Sequence, residues 1–335
     1  MNKKRTDFRK NRRGAVVFIL PLLLFLGLSI CVFASGNTEE DNSSRLKVVA
    51  GDSIIGDIVS VIAAEHVELT LLVGPDEDPH SFEPEPRDLI VLEEADIIFW
   101  NERMSILEQF SNAYWVSEDI LTSEHDDHDE HAEDDDHDDH AEDDEHGDHD
   151  EHDHGDHGDI HVWFDPLNMV IWTESIRGIL SEADPDNAAD YERNAIQYIA
   201  ALRALDEEIH DRLDALPRRG IVTDHIFFTD FISAYNLEFI GTLIPSVSDQ
   251  AEPSPRHAAD LIEKLQAHGG GIVLMDAGAP PSRRQLADEI AKEAGGNVSV
   301  VTILVDALAK PGSPGDTYVS FMRYNVEKLA EALGN

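Results

Sequence analysis

Short apolar runs alternate with segments of helical periodicity in the first third of the chain. Leu46–Ala50 predicts a buried strand, residues 53–64 place apolar side chains at helical spacing, and residues 67–73 predict a second strand. A further helix leads into a strand over residues 97–100. Strands that alternate with helices in this way are typical of α/β domains built on a mostly parallel sheet.

The same alternation returns in the last third of the chain. Strands are predicted at residues 220–225, 237–244, 271–276 and 298–303, and helices at 255–267, 281–294 and 318–333. The sequence therefore predicts an α/β fold with two parallel-sheet lobes, one over residues 46–183 and one over residues 218–335.

One long helix is predicted between these lobes, over residues 184–217. Asp184 followed by Pro185 is a typical helix start, and neither Gly nor Pro occurs again before Pro217. Roughly 32 residues at 1.5 Å each give a helix of about 48 Å. That length favours a connection between two lobes over an ordinary core helix.

A tract of His, Asp and Glu interrupts the first lobe at residues 124–159. It contains 21 acids, 10 histidines and no Lys or Arg. Because it has almost no apolar side chains to bury, we expect a disordered insertion in an exposed loop. Folded sequence resumes around His161, with Asp165 as the predicted N-cap of the next helix and Pro166 as its first residue.

The overall charge narrows the range of functions. Lys and Arg number 25, whereas Asp and Glu number 69, which gives a formal net charge of −44. Such a chain would repel nucleic-acid phosphates, so cations are the expected partners. The sequence has one cysteine, Cys31, which excludes a disulfide within the chain and a site built from several thiolates.

The first residues have the features of an export signal. Seven Lys and Arg side chains precede an almost wholly apolar stretch at residues 15–34, which ends in small residues suited to cleavage. We expect residues 1–34 to be a signal peptide, residues 35–45 a polar linker, and the mature protein to be periplasmic or otherwise extracytoplasmic. An uncleaved membrane anchor and lipid attachment at Cys31 stay open as alternatives.

Four side chains at predicted strand ends or in adjoining loops are candidate metal ligands: His80, His161, His225 and Asp306. Open α/β sheets bind their ligands at such strand ends. Taken singly, each histidine is equally compatible with a solvated or a core position. Together, three imidazoles and a carboxylate suit tetrahedral Zn²⁺, and Mn²⁺ accepts the same atoms with a higher coordination number.

Five segments together resemble the metal-specific solute-binding proteins of bacterial zinc and manganese ABC transporters. They are GPDEDPHSFEPEPRDL, HVWFDPLN, TDHIFFTDFISAYNL, PSPRHAADLIEKL and VDALAKPGSPGDTYVSFMRYNVEKLAEAL. The resemblance covers residues 46–333 outside the acidic tract. It implies that His80, His161, His225 and Asp306 are the metal ligands. It also implies two lobes joined by a rigid backbone helix, with the metal ion in the cleft between them.

Two positions depart from the family pattern. The segment IFFTDF follows His225 where relatives often have a small residue and a tyrosine, and Asp276 stands where relatives often have Glu. Neither departure removes a ligand. Both departures leave the metal preference open, because the groups that surround the ligands affect which metal ion the site binds best.

The resemblance further implies a division among the histidines, because zinc-directed relatives often have a His-rich loop just before the second ligand. We expect His161 to belong to the folded site and the tract to bind Zn²⁺ weakly at several positions, since a disordered chain loses entropy when it orders around an ion. The histidines of this weak tract are His125, His128, His131, His137, His140, His146, His149, His152, His154 and His157.

These observations predict a monomeric extracytoplasmic protein that captures Zn²⁺ as its transported ligand and delivers it to an ABC transporter permease. A manganese-directed protein of the same family is the nearest alternative. A zinc-dependent hydrolase is an alternative of another class, but the sequence has no HExxH motif and no second carboxylate placed as a general base. A metal buffer or surface adhesin is a third. An enzyme is therefore not expected.

Overall fold

The computed structural model describes residues 45–101, 106–118, 120, 159–245 and 254–334. The predicted signal peptide with Cys31 and the ten histidines of the weak tract lie outside these residues. Within the described ranges, no helix has both the length and the apolar character needed to cross a membrane.

Four parallel strands form the first sheet, in the spatial order β2-β1-β3-β4. They are β1 (Leu46–Ala50), β2 (Val67–Leu71), β3 (Ile97–Trp100) and β4 (Ala113–Trp115). Two helices described in this part are α1 (Ser53–Ala63) and α2 (Pro86–Glu94). In the middle of the sheet, Val48 is paired with Leu69 on one side and Ile97 on the other. All four side chains of β3 are buried, as expected for a parallel sheet covered by helices.

Two helices follow in the chain: α3 (Pro166–Ala183) and α4 (Ala188–Asp214). The helix α4 matches the predicted long helix, but its 27 residues span about 40 Å rather than the whole of residues 184–217. Asp184 does not begin it. Because a residue before proline disfavours the helical conformation, Asp184 ends α3 instead. Its carboxylate accepts hydrogen bonds of 2.7 Å from the amide of Asn187 and the hydroxyl of Tyr191.

The second sheet repeats the first, with parallel strands in the order β6-β5-β7-β8. They are β5 (Gly220–Thr223), β6 (Glu238–Thr242), β7 (Gly271–Asp276) and β8 (Val298–Ile303). The helices of this part are α5 (Thr229–Ala234), α6 (Pro255–His268), α7 (Pro281–Ala294) and α8 (Tyr318–Leu333). The predicted α/β fold with two parallel sheets is thereby confirmed, and β7, β8, α7 and α8 have their predicted bounds.

The helix α4 packs against both halves of the fold through one apolar face. The buried side chains of this face are Tyr191, Ala195, Tyr198, Leu202, Leu205, Ile209 and Leu213. Near its start, Asn194 donates a 3.0 Å hydrogen bond to a carbonyl in α1. Near its end, Arg212 makes two 3.1 Å hydrogen bonds to Glu327 of α8. The hydrophobic core that contains this face also contains Val48 of β1 and Ile272 of β7, so both sheets share it.

Candidate metal centre

His80 lies on a short 3₁₀ turn, Pro79–Ser81, in the segment that follows β2. Asp78 caps this turn by accepting a 2.8 Å hydrogen bond from the backbone N–H of His80. Pro79 fixes the backbone at the first position of the turn. The imidazole is 18% exposed, which places it at the edge of the folded interior.

His161 precedes a second 3₁₀ turn, Val162–Phe164, which leads into α3. Its side chain is fully buried. The centroid of the imidazole lies 5.0 Å from the Trp163 ring and 6.0 Å from the Phe227 ring. As predicted, Asp165 caps α3, and it does so by accepting a hydrogen bond from the backbone N–H of Leu167. Rigid neighbours and a capped helix therefore fix the position of this ring.

His225 follows β5, in the segment that leads into α5. Its carbonyl accepts a 2.7 Å hydrogen bond from the hydroxyl of Thr223. The Phe227 ring lies 4.8 Å from the imidazole between centroids, and Phe228 adopts a left-handed φ of 77° at the start of α5. Phenylalanines of the segment IFFTDF therefore pack beside the imidazole, and the histidine is 1% exposed.

Asp306 lies three residues beyond β8 and is 9% exposed. Its Oδ1 is 3.4 Å from Nε2 of His80 and 3.4 Å from Nε2 of His161. One carboxylate oxygen therefore faces two imidazole nitrogens that come from different parts of the first half of the chain.

The four residues predicted as ligands lie side by side. One ligand atom each from His80, His161 and Asp306 is within 4.8 Å of the other two. His225 is adjacent, since its ring centroid is 5.4 Å from that of His161. In the part of the chain that the structure describes, no other group of three His, Cys, Asp or Glu side chains has this arrangement.

Several buried polar atoms at this point have no hydrogen-bond partner among the described residues. They are Nε2 of His161, both ring nitrogens of His225 and Oδ1 of Asp306. Each such atom costs about 1–3 kcal/mol when it is left without a partner. A divalent cation bound by these atoms would remove that cost, and nitrogen and oxygen donors of this kind suit Zn²⁺.

Charges around His161 favour its protonated form when no cation is bound. Burial by itself lowers the pKa of this imidazole, but the hydrogen bond with Asp159 and the negative charges of Asp159 and Asp306 outweigh burial and raise the pKa to about 10. Burial would raise the pKa of Asp306, yet His161 and His80 hold it well below its usual range. Burial, and then the charge of Asp306, raise the pKa of Asp276 to about 7. A bound divalent cation would replace protons at this site.

Zinc binding is expected to release protons and to strengthen as the pH rises. Nε2 of His161 must lose its proton before it can bind a cation, and a pKa of about 10 retains that proton at neutral pH. The apparent affinity should therefore increase about tenfold or more per pH unit between about pH 6 and pH 9. Calorimetry in buffers of different ionisation enthalpy should find at least one proton released per ion near neutral pH. Equal affinities at both ends of this range would contradict the assignment.

Asp159 is a residue of the site that sequence composition assigns to the wrong segment. The predicted tract ends with Asp159, whereas the structure buries this carboxylate, which is 4% exposed. One of its oxygens lies 2.6 Å from Nδ1 of His161, and the other accepts hydrogen bonds from Thr229. The apolar residue Ile160 directly after Asp159 indicates that folded structure begins here. Composition averaged over several residues does not reveal this, because acids and histidines dominate the average.

A buried ion pair beside His225 is also absent from the sequence prediction. Arg283 of α7 donates a 3.1 Å hydrogen bond to Oδ2 of Asp224, and the two side chains are 7% and 0% exposed. The same oxygen lies 4.0 Å from Nδ1 of His225. Because 59 residues separate the partners, no local pattern joins them. The pair ties α7 to the strand end from which His225 projects.

The chain is similar to known metal-transport proteins over most of its length. A model of the family described as zinc-uptake complex component A, periplasmic, matches residues 48–332. The metal ABC transporter substrate-binding lipoprotein ScbA of Streptococcus cristatus is 32% identical over 320 residues, which cover 94% of this chain and 97% of ScbA. The manganese ABC transporter substrate-binding lipoprotein ScaA of Streptococcus gordonii is 31% identical, with 94% and 97% covered.

A solved structure has the same fold. The periplasmic zinc-binding protein TroA from Treponema pallidum superposes with a TM-score of 0.71 at 23% identity, and the match covers 87% of this chain and all of TroA. The family match and the fold together confirm the resemblance inferred from the five sequence segments. This chain therefore belongs to the zinc-uptake complex component A family of substrate-binding proteins of metal ABC transporters.

Proposed function

We propose that this protein captures Zn²⁺ outside the cytoplasmic membrane with His80, His161, His225 and Asp306 and delivers it, as a monomer, to a membrane permease. Its family consists of solute-binding proteins rather than enzymes, which removes the hydrolase alternative. The observation that best supports the ligand set is the grouping of one ligand atom each from His80, His161 and Asp306 within 4.8 Å, with the His225 ring 5.4 Å from that of His161. These residues lie in segments that follow strands of both sheets or precede α3.

The donor set favours zinc over manganese. Imidazole nitrogen is a good donor for Zn²⁺, whereas Mn²⁺ is better suited by carboxylate and carbonyl oxygen. Three of the four proposed donors are imidazoles. Manganese is nevertheless the alternative, because the relative ScaA is named for manganese. The structural neighbour TroA is named for zinc. Asp276 also places a second, partly buried carboxylate within electrostatic reach of Asp306, which would suit a manganese site.

The metal that the protein acquires in its own cells tests this proposal. Zn²⁺ outcompetes Mn²⁺ at most nitrogen and oxygen sites when the two are equally available, so mixing the ions in vitro does not decide the question. Protein is instead purified from the native host without added metal and analysed by elemental mass spectrometry, beside a His225→Ala variant. We expect about one zinc ion per parent chain and a large loss in the variant. Manganese in the parent chain would establish the alternative, and absence of both ions would contradict the function.

We further propose that lipid attached to Cys31 holds the protein at the membrane surface. Two relatives, ScbA and ScaA, are named as lipoproteins. Cys31 is the single cysteine and lies inside the apolar part of the predicted export signal, in the segment LSIC. We prefer this lipid anchor to the two other interpretations of the N-terminal segment, which are cleavage after Ala34 and retention as an uncleaved membrane span.

Deletion of residues 124–156 is expected to remove weak zinc sites and leave the tight site unchanged within about threefold. The deletion removes nine of the ten histidines of the tract. Histidines among acids bind Zn²⁺, but we expect these sites to be weak because the sequence predicts no folded cleft around them. The deletion keeps Asp159, because its carboxylate contacts His161. Calorimetry should find one tight phase in both forms and several weak ones only in the full chain. Loss of the tight phase would show that the tract supplies ligands of the tight site. Unchanged weak phases would show that the tract is only a spacer.

A further inference from the structure

Both carboxylate oxygens of Asp159 are hydrogen-bonded, and their partners belong to different segments of the site. Oδ1 lies 3.0 Å from the backbone nitrogen of His161 and 2.6 Å from its ring Nδ1. Oδ2 accepts hydrogen bonds of 2.8 Å and 2.7 Å from the backbone N–H and the hydroxyl of Thr229. Thr229 is the first residue of α5 and lies shortly after His225. A single buried carboxylate thus joins the segment of His161 to the segment of His225.

The contact with Nδ1 determines which nitrogen of His161 faces the other ligands. An ionised carboxylate can only accept hydrogen bonds, so Nδ1 is the donor. Nε2 is then directed at Oδ1 of Asp306, 3.4 Å away. Histidines that bind metals commonly donate their second ring N–H to a carboxylate, which fixes the orientation of the ring and makes it a stronger ligand.

Asn168 joins the same two segments in another way. Its amide nitrogen donates hydrogen bonds of 3.0 Å to the carbonyl of Val162 and 3.1 Å to Oδ2 of Asp230. Val162 follows His161, and Asp230 is the second residue of α5. Asn168 therefore links the two segments without contacting the His161 imidazole. A variant at Asn168 is for this reason a suitable control for a variant at Asp159.

We propose that Asp159 is a positioning residue that slows the departure of Zn²⁺ by holding His161 and the segment of His225 together in binding geometry. This inference rests on the proposed zinc-binding function. The His161 ring cannot turn, and its connection through Asp159 to the start of α5 cannot open, until the bonds to Asp159 break. Asp159 should therefore act mainly on the dissociation rate, which is also where most affinity differences between related complexes arise.

The substitution Asp159→Asn tests this role. An amide has one accepting oxygen and one donating NH₂ group, so it cannot accept hydrogen bonds from His161 and Thr229 at the same time. We expect zinc affinity to fall about 10–100-fold. The loss should appear as faster transfer of Zn²⁺ to a chelator, with the association rate unchanged within about threefold. The visible spectrum of the Co²⁺-loaded protein should also change, because the His161 ring is free to tilt.

Two further variants separate positioning from general support of the fold. Thr229→Val keeps the bond between Asp159 and His161 but removes one of the two bonds to α5, so dissociation should be about threefold faster. Combined with Asp159→Asn, it should add no further acceleration, because both substitutions act on the same bridge. Asn168→Ala should leave dissociation within about twofold and the Co²⁺ spectrum unchanged.

Two results would overturn the inference: dissociation from Asp159→Asn within twofold of the parent rate, or equal acceleration in Asn168→Ala. If Asp159→Asn does not fold, Thr229→Val decides the question, and an unchanged dissociation rate then overturns the inference. The proposed function fails by different results, namely a parent chain that binds no ion tightly or a His161→Ala variant that still does.

Discussion

Replacing His161 by alanine is expected to lower zinc affinity about a thousandfold or more, which corresponds to about 4 kcal/mol of binding free energy. The imidazole is fully buried, and its Nε2 faces Asp306 at 3.4 Å, so neither another side chain nor bulk water can readily take its place. The variant also leaves Asp159 buried without its cationic partner, and Asp306 with only His80. Breaking a buried pair costs about 3–5 kcal/mol, so the metal-free variant should also melt at a lower temperature.

Chelator competition on the parent chain and the His161→Ala variant measures the loss of affinity, and circular dichroism reports whether the variant is folded. His66→Ala is the matched control. His66 contacts a carboxylate, that of Asp190 at 3.1 Å, but its side chain is 24% exposed and is not one of the clustered ligands. The control should bind zinc with parent affinity. A His161→Ala variant that holds a stoichiometric ion at nanomolar free zinc would show that His161 is not a ligand.

Replacing Trp163 by alanine is expected to destabilise the metal-free protein by about 3–5 kcal/mol. The ring is 1% exposed, and its Nε1 donates a 2.9 Å hydrogen bond to the carbonyl of Val305, the residue before Asp306. The carbonyl of Trp163 in turn accepts a 2.8 Å hydrogen bond from the hydroxyl of Tyr318. Alanine would leave a large cavity and an unpaired carbonyl between two ligand-bearing segments.

Thermal denaturation should place the melting temperature of Trp163→Ala roughly 6–20 °C below that of the parent chain, at about 2–4 °C per kcal/mol for a large domain. Trp163→Phe is the conservative comparison. It retains most of the ring volume and loses the bond to Val305, so it should cost only about 1–3 kcal/mol. An alanine variant that melts within 3 °C of the parent would mean that this ring is not part of the core.

Much of the second sheet can be predicted from sequence because the ends of its strands are clearly marked by a change of residue type. The runs that form β7 and β8 are apolar and lie between helices bounded by Gly or Pro, so their limits agree with the structure. The start of α4 is different. An Asp-Pro pair is compatible both with a helix start and with the end of a preceding helix, and in the structure Asp184 ends α3 and accepts a hydrogen bond from Tyr191 of the next helix. That contact is not visible in a local pattern.

The ligand set could be proposed from sequence, but its geometry could not. His80, His161, His225 and Asp306 come from distant segments, and parallel-sheet topology brings them together. The bonds that hold them are less predictable still. Asp159 is indistinguishable by composition from the acids that precede it, and its role depends on Thr229, 70 residues later in the chain.

The core that α4 shares with both sheets has a consequence for how the molecule unfolds. Val48 of the first sheet and Ile272 of the second belong to one continuous apolar cluster, so the two sheets share the largest core, and each sheet has only a smaller separate cluster besides. Loss of either sheet would expose apolar surface of the other and of the helix between them, which favours a single cooperative transition. A carrier in which one sheet is folded and only half of the ligands are in place should therefore be scarcely populated. Folded molecules would then have either the whole of the proposed metal centre or none of it.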